Sequence, residues 1–576
     1  MTVTADDLVV IALVGILILA FVVIAVRENR RQKKYFLLKI RREWGCPPSG
    51  EWTQEELDSI SHYTCRRSGR RFQIDDITWN DLDMDAVFLQ MNGTVSSCGE
   101  DYLYSLLRLP EFDESVLKER NRLAEYFGSH PKEREQVQLM LRVIGKRKGY
   151  SVADYIDALD TAPKRSAAKY VLLGLLGVTS IVMFFIAPLI AVFLLILVMA
   201  VNGTIHYRES REIEKYMSCL ACILRILRAA EELGKCRIEE ISGYAEQIRK
   251  HAAVFRGVRR KSVTLTSEKG VDATGMSALT AYLNTFFMLD FIQFYSVIRK
   301  LKGRQEDMNA LMENFGILDS AIAIASYRAY LPVYCKPEFT QTAWDGAVRL
   351  RAEDLYHPLI TNPVANSIDA EGGVLLTGSN ASGKSTFLKT VAINAILAQS
   401  IYTCAATSYR CAMVKVMTSM ALRDDVQGGE SYYIVEIKSL KRILAEVEKG
   451  EPLLCIIDEV LRGTNTIERI AASSRILASL RRENVLPFAA THDIELTSIL
   501  DGIYQNYHFT EEITDKDIRF NYLLQKGRAV SRNAITLLEF IGYDKELVEK
   551  AREAAADFEK SGVWKPLKEK QGGQTC

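Results

Sequence analysis

Gly378, Ser379, Asn380, Ala381, Ser382, Gly383, Lys384 and Ser385 fit the spacing G-x-x-x-x-G-K-[ST] in full. Glycines at both ends let the backbone wrap an anion, and the loop amides with a following helix N-terminus present partial positive charge to it. Lys384 is placed to reach the β- and γ-phosphates of a nucleotide, and the Ser385 hydroxyl to ligate Mg²⁺. Farther on, Pro452-Leu-Leu-Cys-Ile-Ile ends in the adjacent acids Asp458 and Glu459. An apolar run that delivers two carboxylates has little structural rationale, because unpaired buried charge is costly. Asp458 is expected to hold Mg²⁺ through its waters, and Glu459 to polarise an attacking water as general base. A third apolar run, 484–490, leads to Thr491, His492 and Asp493. His492 is expected to sense the γ-phosphate or to orient that water. The set describes a site for ATP and Mg²⁺ with the parts for hydrolysis.

These residues need a scaffold that brings three chain segments to one edge. Residues 373–377 read as a buried strand, and a helix opens at Thr386, so the loop has the strand–loop–helix setting it requires. From about 346 onward, short apolar β-type runs alternate with helical ones, the pattern of a parallel α/β sheet. Such sheets bind ligands at the C-terminal ends of their strands, which is where all three segments carry their polar residues. Upstream the periodicity is helical, as in 100–107, 115–127, 211–233 and 277–301.

Two other runs are apolar. Leu8 to Val26 is uncharged and long enough to span a bilayer; Asp6 and Asp7 precede it, and Arg27, Arg30, Arg31, Lys33 and Lys34 follow. That asymmetry predicts a retained anchor with its N-terminus outside and the rest of the chain cytoplasmic. Tyr170 to Val201 is too long for one span, has Pro188 near its middle, and is flanked by Lys164, Arg165 and Lys169 on one side and Arg208 and Arg211 on the other. Two short helices forming a membrane hairpin satisfy both flanks. The expected organisation is an anchor at 1–27, a basic juxtamembrane segment at 28–75, helical segments at 76–167 and 205–345 around the hairpin at 168–204, an ATPase domain at 346–560 and a polar tail at 561–576. Localisation at the cell membrane follows, with three spans and the lipid bilayer as a partner. The 11 cysteines are odd in number and scattered, which predicts a reducing compartment without a disulfide framework. Cys219 and Cys222 have C-x-x-C spacing but lie on an apolar helical run, where they read as small core residues. A net charge of +1 argues against blanket binding of nucleic acid, although a local basic face stays open.

About 350 to 555 resembles the ATPase domain of the MutS family of DNA mismatch repair proteins. The likeness runs through His357-Pro358, Asn366, Thr377 to Phe387, Asp458 to Asn465, Ala490 to Asp493 and Lys526 to Ile535. Asn92-Gly-Thr94, Gly99, Leu103, Leu106 to Pro110 and Arg120 resemble the start of that family's helical lever. The resemblance implies an ABC-like α/β P-loop NTPase preceded by an all-α lever, here interrupted by the hairpin. It places His357 among the nucleotide-binding residues. It also implies a site completed across a dimer of this chain, with Ser431, in the segment Asp425 to Glu436, reaching the partner's nucleotide. Arg462, Gly463 and Thr464 match the loop that communicates between two such sites. There are departures: Leu461 stands where the family has glycine, Ser379 where it has proline, and the anchor and basic stretch occupy the place of the mismatch-reading domain.

Two readings follow. One is a membrane-tethered dimeric ATPase that closes a helical clamp on DNA in mismatch repair or recombination. The alternative is an ATP-driven membrane scaffold or switch that acts on protein partners without DNA. A transporter ATPase is disfavoured, because Leu-Ser-Gly-Gly-Gln is absent and three spans make a poor pathway.

Overall fold

The computed structural model describes residues 5–69, 71–146, 149, 151–161, 163, 165–259, 276–340, 348–379, 382–420, 432–461, 464–514, 517–528 and 534–566. They divide into two compact units.

The unit made of Ile74–Met84, Val333–Ala398 and Thr403–Cys576 contains the sheets. Its strands are β1 (Glu338–Phe339), β2 (Leu350–Leu355), β3 (Asn366–Ala370), β4 (Gly373–Thr377), β5 (Ser408–Cys411), β6 (Lys415–Ser419), β7 (Leu453–Asp458), β8 (Val485–Ala490), β9 (Tyr504–Thr514) and β10 (Asp517–Lys526). Six form one sheet in the order β10-β9-β4-β8-β7-β6, parallel throughout except for β10 at the edge. Every residue of β4, β7 and β8 is buried. Helices cover both faces of such central strands, so apolar side chains are needed at every position rather than at alternate ones. Leu375, Ile457 and Leu453 pack with Ile443, Leu477 and Leu496 from the flanking helices. A second sheet, in the order β1-β5-β2-β3, takes three strands from before β4 and one from after it, and β3 leads directly into β4.

Residues Ile74–Met84 count with this unit, although their helical pattern groups them with the upstream segment in the sequence. The reason is hydrogen bonding at the end of β6. Asp81 accepts from the Thr418 hydroxyl at 2.6 Å and from the Met420 amide at 3.0 Å, and Asp75 pairs with Arg442. Burial raises the Asp81 carboxyl above its ordinary range.

The other unit, Met1–Gln73, Asp85–Pro332 and Gln399–Tyr402, is helical. Helices Ser97–Arg108 and Gln305–Tyr330 pack closely because Gly99 faces Asp319 and Gly316 faces Tyr102; a Cβ at either glycine would collide. Asp319 is fully buried and accepts from the Val95 amide at 3.1 Å, the Ser96 amide at 2.8 Å and the Ser96 hydroxyl at 2.5 Å. Asn92 donates to Glu100, which also pairs with Lys146. Arg120 donates to the Ser400 carbonyl at 2.9 Å. The motif Asn92 to Arg120 therefore supplies polar joints inside a helical core. Cys219 and Cys222 are buried core residues, and the ten cysteines among the described residues are free.

The helices depart from the expected segments in three places. The first runs unbroken from Ala5 to Glu43, through the expected end of the anchor at 27 and into the basic segment. Most side chains of 1–27 lie outside the described residues. The hairpin's second arm is not short: after Ala168–Met183, it runs from Pro188 to Leu233, past 204. Among the described residues, one stretch, Pro188–Ile213, is long and apolar enough to cross a membrane. The expected helix over 277–301 is two helices, Met276–Phe287 and Leu289–Leu301, divided where Met288 takes a left-handed φ of 54°.

Candidate nucleotide site

β4 runs directly into the loop. Gly378 has φ 146° and Gly383 φ 108°, values that favour glycine. A Cβ on Gly378 would also lie 2.8 Å from the Phe509 carbonyl oxygen of β9. The following helix, Lys384–Ile401, begins with the Phe387 amide bonded to the Gly383 carbonyl at 2.9 Å. Lys384 is buried, and its Nζ donates to the Gly378 and Ser379 carbonyls, each at 2.8 Å. The ammonium is thus held over the concave side of its own loop, where an anion would compete for it. Asn380 and Ala381 lie outside the described residues.

β7 brings the carboxylates. Asp458 is its last residue and pairs in register with Ala490 at the end of β8. Glu459 follows with a left-handed φ of 61°, and its amide donates to the Ala490 carbonyl at 3.0 Å. That turn separates the two acids. Asp458 stays buried, whereas Glu459 reaches His492, with its Oε1 2.7 Å from the His492 Nε2. β8 delivers His492 through Thr491, whose amide donates to the Leu376 carbonyl of β4 at 3.0 Å. Next to it Asp493 receives two bonds from Arg469, at 2.8 and 2.7 Å, which raise the Arg469 guanidinium's pKa further.

A cavity of about 600 Å³ joins these parts. Ser382, Gly383, Lys384, Ser385 and Thr386 form its base, and Glu459 and His492 its polar side. His357, Ile360, Val364, Phe509 and Tyr522 complete the wall. His357 is buried; its Nδ1 accepts from the Leu359 amide at 3.3 Å. Burial, and then the nearby Lys389 ammonium, push its pKa down to about 4, so it stands there as a neutral imidazole.

Two buried oxygens of the site lack a hydrogen-bond partner, Ser382 Oγ and Asp458 Oδ1. Orphaned buried oxygens at the loop and at the carboxylate strand suit a ligand that carries both phosphate and a cation. Among the described residues no cluster of three His, Cys, Asp or Glu side chains forms a metal cage. Mg²⁺ in this setting takes few protein ligands, because substrate phosphates and water supply the rest. Ser385 and Asp458 are the residues that would hold it.

Of the residues singled out in the sequence, the fold brings Ser382 to Thr386, Glu459, His492 and His357 to one cavity; Asp458 sits beside it. Ser431, Arg462 and Gly463 lie outside the described residues. The wall formed by Phe509 and Tyr522 escapes sequence reasoning. Tyr522 sits in an irregularity of the β9–β10 pairing with φ 55°, and a Cβ on Gly383 would approach its ring at 3.3 Å. Asn366 fixes it there, donating to the Tyr522 carbonyl at 3.0 Å and accepting from the Leu524 amide at 2.7 Å.

The family model for MutS domain V matches residues 374–559. Residues 374–559 are thus similar to domain V of the MutS family. The matched segment begins within β4 and takes in the loop, the Asp458–Glu459 pair and His492, while His357 and Asn366 lie just before it. Similar relatives include the DNA mismatch repair protein MutS 2 of Haloarcula marismortui, 29% identical over 295 residues, 47% of this chain and 31% of the relative. The DNA mismatch repair protein MutS of Thermus thermophilus is 28% identical over 274 residues, 45% of this chain and 33% of the relative. That of Clostridium kluyveri is 29% identical over 243 residues, 39% of this chain and 27% of the relative. The chain therefore matches about a third of the length of these relatives.

Proposed function

We propose that this chain is a MutS-like ATP hydrolase. The reading rests on one arrangement: Glu459 held 2.7 Å from His492 on the wall of a cavity whose base is the Lys384 loop. On nucleotide binding, Lys384 exchanges the Gly378 and Ser379 carbonyls for phosphate oxygens. Glu459 accepts a proton from the attacking water, and His492 orients the carboxylate and stabilises its charge. Mg²⁺, held by Ser385 and Asp458, would neutralise charge developing on the phosphates. The test compares ATP binding and turnover in wild type and Glu459→Gln. Binding should persist while turnover falls by about 10²–10⁴, the usual contribution of general acid–base catalysis. Unchanged turnover would remove Glu459 from the role.

The wider role is proposed on the relatives named for DNA mismatch repair and on the lever-like motif between Asn92 and Arg120. In this reading two copies of the chain complete each other's sites through Ser431, and ATP controls a helical clamp on DNA. The alternative, a scaffold acting on protein partners, draws on the net charge of +1 and the apolar hairpin. We further place the chain at the cell membrane, with the N-terminus outside and the ATP site cytoplasmic. The cations that follow residue 26 and the exposed apolar surface of the hairpin support this topology. A reporter fused after Cys576 should then behave as cytoplasmic, and an external signal would overturn it.

A further inference from the structure

The hairpin's tip shows how deep it goes. Its turn is Phe184, Phe185, Ile186 and Ala187, followed by Pro188 and Leu189. Phe185 is 85% exposed and Leu189 91%, so the turn presents bare apolar surface. A loop that emerges on the far side of a bilayer needs polar residues to meet water, and this one has none. Its backbone donors are already used: the amides of Phe184, Phe185 and Ile186 bond to the carbonyls of Ile181, Val182 and Met183 at 3.1 Å each, and that of Ala187 to Met183 at 2.8 Å. Pro188 removes a further amide where the next helix starts. A turn with satisfied donors loses less on leaving water.

The arms follow the same rule. Thr179 donates to the Leu176 carbonyl at 2.9 Å, Ser180 to Gly177 at 2.7 Å and Thr204 to Ala200 at 2.8 Å. Asn202, fully buried, donates to the Phe286 carbonyl at 2.7 Å, near the point where the helix Met276–Phe287 ends. That helix packs on Gly174 and Gly177 of the first arm, where a Cβ would crowd Phe287 and Phe286. Charge begins only at the base, where Lys169 and Tyr170 meet Glu209 and His206 meets Asp290 at 2.8 Å.

Depth follows from length. Counted to the first charges at the base, the arms 170–186 and 188–205 rise about 26 and 27 Å, short of a hydrocarbon core of about 30 Å. The stretch Pro188–Ile213 is nominally long enough to cross, but Glu209 and its partners hold its last turns at the base.

We propose that the hairpin is re-entrant: it enters the bilayer from the cytoplasmic face, ends in acyl chains at Phe185, and returns without crossing. This rests on the membrane reading above and sharpens it from a spanning hairpin to one that stays on a single side. The test is site-directed labelling of the full chain in sealed vesicles of both orientations. Phe185→Cys and Ile186→Cys are each treated with a membrane-impermeant maleimide, and modification is read on the tip peptide by mass spectrometry. Labelling from neither face, but after detergent, is the expected result. Labelling from the face opposite the C-terminus would overturn re-entrance and leave the membrane hairpin standing. Labelling from the same face as the C-terminus would remove the hairpin from the membrane altogether, sinking both. Two tip variants guard against one that misfolds, and the detergent signal reports that the tip thiol is intact.

Discussion

At the scale of residues, the site depends on a few side chains whose state is set by burial. Lys384 is buried against its own loop carbonyls, so Lys384→Ala should abolish nucleotide binding, measured with a fluorescent ATP analogue. The result differs in kind from that of Glu459→Gln, which should bind and stall. His357 adds a pH dependence. Its folded pKa lies near 4, below the usual value of about 6.5. Between those values the unfolded chain binds a proton that the folded chain refuses. The His357 contribution to stability is therefore complete above pH 6.5 and lost as pH falls toward 4, by roughly 2–3 kcal/mol. Denaturant titrations at pH 7 and pH 4.5 should show wild type losing more stability on acidification than His357→Gln; equal losses would refute the assignment.

At the scale of elements, the site depends on pairs that hold segments together. Asn366, at the start of β3, bonds both sides of the β10 irregularity and so fixes Tyr522 against the loop. Asn366→Ala should weaken ATP binding several-fold, the size of about one lost hydrogen bond, with little change in unfolding midpoint. A large loss of stability would make Asn366 a structural joint instead. In the helical unit Asp319 plays a comparable part. Burial pushes its pKa up to about 6, yet it accepts three donors from Val95 and Ser96. Asp319→Ala strands those donors in the core and should cost at least about 3 kcal/mol, read by denaturant unfolding. Gly99→Ala should fail at the same contact, because its methyl would occupy the place of the carboxylate. These joints are scarcely legible in the sequence. Asp319 stands 223 residues from Ser96, and nothing local announces the pair.

At the scale of the whole molecule, the proposals concern partners. If the chain closes on DNA, its affinity should fall steeply between about 50 and 200 mM salt, as phosphate contacts release counterions. Absence of binding to duplex, mismatched or branched DNA at low salt would favour the scaffold reading. If two copies complete each other's sites, mixing Glu459→Gln with Ser431→Ala chains should restore turnover that neither has alone, because one site of the mixed dimer keeps all its groups. Additive, unrescued activities would mean that each chain hydrolyses ATP by itself.

The sequence by itself determined the parts that are short-range. The phosphate loop with its flanking strand and helix, the acids that close β7 and the histidine after β8 are each legible within a dozen residues, because local periodicity and spacing encode them. The apolar runs, with cations on their flanks, are legible for the same reason. Only the tertiary structure decided what those parts meet. It turned Glu459 toward His492 and left Asp458 buried, through a left-handed residue no pattern predicts. It placed Phe509 and Tyr522 over the loop through a pairing irregularity, and moved Ile74–Met84 to the end of β6 through bonds made 337 and 339 residues along the chain. It also showed that the hairpin's turn satisfies its own amides. Such contacts depend on which distant groups are left unsatisfied when the chain packs, and that is not written in any one segment.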